Sequence, residues 1–268
     1  MGVRDRIDQK SAEFAARIVE RLGPERSMQL ASGMLTAVDE VSAHRWDAAK
    51  QRAEKLGGDI RPEKVEALTR AFSRELGGAG AAAGAVAAAP TVGTTATLAA
   101  TMSELAWFTG RAGDLVLTIA ALHGREDPSI DERRAWVLAV LIYGSSARDG
   151  FARAVNNATT GMSLAGVDGR IPVATLQMAN RVMSSALLRT YGTRRGLAAL
   201  SRLLPVGVGA AVGWTTNYAA VRALARHADG FFARLPYSAI DVESIDITHH
   251  QLRRSATTVQ HMFISGQT

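Results

Sequence analysis

The chain has 268 residues, 47% hydrophobic and only 6% aromatic, with a formal net charge of +6. That length holds one large domain or two small ones and buries a substantial core without covalent staples. There is no cysteine, which excludes disulfides, thiolate zinc sites and cysteine nucleophiles and fits a reducing compartment.

Residues 1–60 read as an amphipathic helical lead-in that packs on the rest of the chain. Ile7, Phe14, Ile18 and Leu22 share one helical face, and the charges throughout the first 23 residues leave no apolar centre for a signal peptide. Breaks near LGPERS and LGGDIRP divide this lead-in. Residues 61–236 form the main helical domain. Pro62 opens a helix over 62–76, in which Val65, Leu68, Phe72 and Leu76 recur at helical spacing, and Gly77-Gly78 closes it. Segments 104–123, 131–157, 172–192 and 215–235 follow, separated by GREDPS, GMSLAGVDGRIP and LLPVGVG. Ser129 or Asp131 caps the third of these helices, and Asn156-Asn157 mark its end. Residues 237–268 form a tail of mixed character, a short strand or a loop. No strands alternate convincingly and no fixed-period repeat occurs. The expected fold is all-α, one compact multi-helix domain with a central pair of Ala/Gly-rich helical segments, since alanine has the highest helix propensity.

Gly77 to Ser103 carries no charge and admits three readings. Gly78 to Ala83 loosely matches a dinucleotide-binding glycine loop, but that loop needs a preceding strand and here follows an amphipathic helix. The stretch is long enough to span a bilayer, yet Ala, Gly and Thr insert poorly and Pro90 interrupts it. The preferred reading is a close-packed helical hairpin: Gly80 and Gly84 lie on one face, where small side chains let another backbone approach. Leu203 to Val221 is also charge-free and repeats the spacing at Gly209 and Gly213, which predicts contact between the two segments.

The order GGAGAAAGAVAAAPTVG, LVLTIAALHGREDP, ERRAWVLAVLIYG and LLPVGVGAAVGWTTNYAAVRALARHADGFF resembles the EcsC family over roughly residues 60–235. His123 departs from the aromatic residue that often precedes that glycine in the family. The resemblance implies association with membranes or with a transport system, because the family is named for a gene beside the subunits of an ABC transporter. It carries no accepted catalytic set, and the biochemical activity it implies is unassigned.

Ionisable groups on apolar helices are the candidate site. Glu104, Arg111 and Asp114 fall near one side of one helix, with Arg148 and Asp149 able to join them, and Asn217 and Arg222 close the second small-residue stretch. These residues form either a structural ion-pair set or a polar cleft. Asn217 suits a helix-bridging hydrogen bond. Ser145 and Ser146 lack the nucleophile-elbow pattern. The six histidines, His44, His123, His227, His249, His250 and His261, include no metal-binding pair and read as surface or tail residues, so neither metal nor cofactor is expected. Trp107, Trp136 and Trp214, with Phe231 and Phe232, read as core rather than as an interfacial belt. All but four of the 31 basic residues are arginine, dispersed among acids without a nucleic-acid recognition motif. The expected partner is an anionic membrane surface or a membrane protein. The expected function is that of a non-catalytic interaction protein in the cytoplasm, peripheral at the inner face of the cell membrane. The alternative is an enzyme acting on a lipid or peptide through the Glu104/Arg111/Asp114 group.

Overall fold

The structure, a computed structural model, describes residues 24–58, 60–87, 94–158, 171–192, 209–235 and 239–240. It is an all-α domain. The helices are α1 (Pro24–His44), α2 (Trp46–Lys55), α3 (Arg61–Ala87), α4 (Thr94–Leu122), α5 (Ile130–Tyr143), α6 (Ala147–Ala158), α7 (Val173–Tyr191) and α8 (Gly209–Phe232). A 3-10 turn, Gly144–Ser146, joins α5 to α6, and two-residue strands β1 (Ile171–Pro172) and β2 (Ala239–Ile240) pair in parallel.

Helix α4 is the centre, touching α1, α2, α3, α5 and α8. Leu115, Val116, Leu117 and Ile119 are all fully buried, so in this stretch every side of the helix faces protein. Ser103–Leu122 is long and apolar enough to cross a bilayer, but 61% of that window is buried inside the fold. Its hydrophobicity is that of a core helix. Close packing on small residues occurs where α1 crosses α4: a β-carbon on Gly113 would lie 2.5 Å from Val41 Cγ1.

The two helices carrying the Ala/Gly-rich segments, α3 and α8, form the most extensive helix pair among the described residues. The pair is antiparallel. Arg61 at the start of α3 acts electrostatically on His123, and His123 bonds Asp229 near the end of α8. The surroundings of Gly80, Gly84, Gly209 and Gly213 lie outside the described residues.

Gly77-Gly78 does not end α3, which continues to Ala87. The glycine penalty, about 1 kcal/mol per residue, is offset by the alanines that follow and by the packing on α8. The same continuity excludes a phosphate loop at Gly78 to Ala83. The expected helix over 131–157 is instead divided at Gly144, whose φ of 52° no α-helical residue adopts. The lead-in also breaks at Arg45, between α1 and α2. Of the two predicted caps it is Ser129 that caps α5. The Glu132 amide donates to Ser129 Oγ at 3.2 Å and the Ser129 amide to Glu132 Oε2 at 2.8 Å, a reciprocal capping box. Trp136, Phe231 and Phe232 are core, with Trp136 edge-on to Phe232 at 5.3 Å. Trp107, by contrast, is 41% exposed. The Trp214 side chain lies outside the described residues.

Candidate functional site

Helix α4 brings Arg111 and Asp114 together, one turn apart on the same face. The Asp114 side chain is only 2% exposed, so its charge must be met inside the protein. Arg45, at the α1–α2 junction, does this with two parallel bonds: Nε to Oδ1 at 3.1 Å and Nη2 to Oδ2 at 3.0 Å. Arg111 Nη1 donates to the same Oδ2. The other edge of Arg111 grips Glu75 on α3, with Nε to Oε1 at 2.7 Å and Nη2 to Oε2 at 2.5 Å. Arg52 on α2 donates to Thr118 Oγ1 at 3.1 Å, and that hydroxyl donates to the Asp114 carbonyl at 2.7 Å. The Phe72 ring lies within cation–π range of both Arg111, at 4.7 Å, and Arg52, at 5.4 Å.

The charges are mutually adjusted. Burial works to lower the Arg111 pKa, but its bonds to Glu75 and Asp114 outweigh this and raise it. The hydrogen bond to Asp114 likewise raises Arg45. For Arg52 burial dominates and lowers the pKa, opposed by Asp114. Fork-to-fork bonds of this kind hold both carboxylates in fixed geometry between the helices. The network ties α2, α3 and α4 together, along with the α1–α2 junction, and its evident consequence is structural.

Several predicted members do not join it. Glu104 is two turns before Arg111, about 10 Å along the helix axis, beyond the reach of its guanidinium. It is half-buried and has no hydrogen-bond or ion-pair partner among the described residues, and burial raises its pKa. Arg148 and Asp149 are exposed at the start of α6. Arg222 is exposed on α8, with its guanidinium 5.7 Å from the Tyr218 ring and a 3.3 Å bond to the Tyr218 hydroxyl. The Asn217 side chain lies outside the described residues. In turn, the sequence reading missed Arg45, Arg52, Phe72 and Glu75. They approach α4 from other elements, and periodicity within one helix is blind to that.

The histidine expectation also needs correction. His123 is no surface residue: its side chain is 4% exposed and Nε2 lies 2.8 Å from Asp229 Oδ1. Burial, the largest influence, lowers its pKa, while the bond to Asp229 opposes the fall. His227 is half-buried, whereas His44 is exposed. His249, His250 and His261 lie outside the described residues. Among the described residues no group of three or more His, Cys, Asp or Glu could hold a metal.

Two concavities lie apart from the ion-pair network. A groove of about 230 Å³ runs along the α3–α8 seam, lined by Glu66, Arg70, Tyr218, Arg222, Arg226 and Asp229 among others. A cleft of about 340 Å³ opens between α4, α5 and α8, lined mainly by apolar side chains with His227, Tyr191 and Ser145. Neither includes Glu104, Arg111 or Asp114. Comparison of the chain with family models, with curated proteins and with solved structures returns no match.

Proposed function

We propose that this protein is a non-catalytic, EcsC-like interaction protein that rests peripherally on the anionic inner face of the cell membrane, beside a transport system. The observation that carries this reading is the division of charge. Inside, Asp114 and Glu75 are engaged by Arg45 and Arg111. Outside, Arg70, Arg222 and Arg226 line one exposed seam together with Glu66 and Asp229, and Asp229 already bonds His123. Arginine near an anionic surface contributes about 1 kcal/mol. Three such residues give roughly a hundredfold partition, which suits reversible binding rather than insertion. The EcsC-like order of segments supports the membrane setting.

Co-sedimentation with vesicles tests the proposal. Phosphatidylglycerol-containing vesicles pellet the protein at low salt and release it near 1 M salt, where the Debye length falls to about 3 Å. Pure phosphatidylcholine vesicles leave it in the supernatant. Absence from the anionic pellet at low salt, or retention at high salt, contradicts the proposal.

A further inference from the structure

The cleft between α4, α5 and α8 takes no part in the membrane reading and has a chemistry of its own. Its volume, about 340 Å³, falls at the lower end of the small-molecule range of roughly 300–1,000 Å³. Leu105 and Val140 form a buried floor, while Phe108 and Leu224 are half-exposed walls, apolar surface that a ligand would cover. Among the described residues, no Asp, Glu, Lys or Arg lines the cleft.

Its polar groups are unevenly committed. The Thr109 hydroxyl donates to the Leu105 carbonyl at 2.8 Å, and the Tyr191 hydroxyl to the Leu141 carbonyl at 3.3 Å. His227 and Ser145 both line the cleft near the turn between α5 and α6. Gly144 keeps this end open. It has a positive φ, and a β-carbon on it would lie 3.3 Å from His227 Nδ1. Burial foremost, and then the neighbouring Arg226, lower the His227 pKa, favouring an uncharged ring that donates one hydrogen bond and accepts another. An ionised head would be desolvated here without a counter-charge, at considerable cost.

We propose that this cleft binds an uncharged amphiphile with one short aliphatic chain and a hydroxyl or amide head. The chain lies against Leu105, Phe108, Val140 and Leu224, and the head meets His227 and Ser145. Ligand binding in the cleft needs no membrane, so its failure and that of the membrane proposal are separable.

Titration with N-phenyl-1-naphthylamine, an uncharged probe whose emission rises in apolar surroundings, tests the assignment on the soluble full chain without vesicles. The expected result is saturable enhancement at one site, with 1-decanol displacing the probe at a concentration at least about tenfold below that needed for decanoate or decylammonium. Ala223→Phe, which projects a ring into the cleft from α8, weakens probe binding by about tenfold or more while far-UV circular dichroism stays unchanged. Ala220→Phe serves the same end should the first variant lose helicity. His227→Leu weakens 1-decanol about fivefold, the effect of one hydrogen bond. No saturable enhancement, equal displacement by the charged amphiphiles, or full affinity in the folded phenylalanine variants overturns the proposal.

Discussion

Asp114 shows how a single buried charge organises its neighbours. Its carboxylate accepts from Arg45 and Arg111, and the second edge of Arg111 is held by Glu75, so removing Asp114 strips partners from two guanidinium groups at once. Arg45 is 44% exposed and recovers some hydration, while Arg111, at 17%, recovers less but keeps Glu75. Asp114→Ala is therefore expected to lower unfolding free energy by about 2–3 kcal/mol, short of the cost at a fully buried pair. Glu104 gives the opposite expectation. It is half-buried without a partner among the described residues and its pKa is raised by burial, so its ionised form costs the folded state something at neutral pH. Glu104→Gln should leave stability within about 0.5 kcal/mol or increase it. Urea denaturation of both variants measures the contrast, and equal losses would contradict the assignment. The pairing of Arg111 with Asp114 was legible because both lie on one helix. Their partners on α2, α3 and the α1–α2 junction were not, since bringing them together is a property of the tertiary fold.

At the scale of elements, packing overrode local punctuation in one place and yielded to it in another. Gly77-Gly78 reads as a stop, but α8 runs along α3 and the helix continues. Gly144 lies within an otherwise helical pattern, but its positive φ and the seating of His227 beside it divide α5 from α6. Ser129 and Glu132 formed the most legible boundary, because a capping box is local and needs no partner helix. Small-residue packing was expected at Gly80, Gly84, Gly209 and Gly213, whose surroundings lie outside the described residues; Gly113 on α4 is a tight contact elsewhere. A methyl group there meets the stiff, β-branched Val41, and Gly113→Ala should cost about 1–3 kcal/mol through separation of α1 from α4. Gly110, one turn earlier, has open space around it, and Gly110→Ala should stabilise by up to about 1 kcal/mol through helix propensity. Thermal melting of the two variants reads the difference, and shifts of the same sign would contradict this view of the α1–α4 contact.

For the whole molecule, the choice between membrane span and soluble core rests on where α4 spends its hydrophobicity. Composition alone could not decide it, because a fully enclosed helix and a spanning helix share the same residues. The fold buries 61% of the Ser103–Leu122 window, with Ala112–Ala120 buried throughout, while the exposed arginines of α3 and α8 lie along another seam. Peripheral docking should therefore leave α4 in place. Hydrogen–deuterium exchange, with and without phosphatidylglycerol vesicles at low salt, tests this most directly. The account predicts added protection confined to the α3–α8 seam around Arg70, Arg222 and Arg226, with Ser103–Leu122 slow to exchange and unchanged. Faster exchange in α1 and α2 on adding vesicles, together with altered protection across Ser103–Leu122, would show the central helix leaving its bundle for lipid and would contradict it.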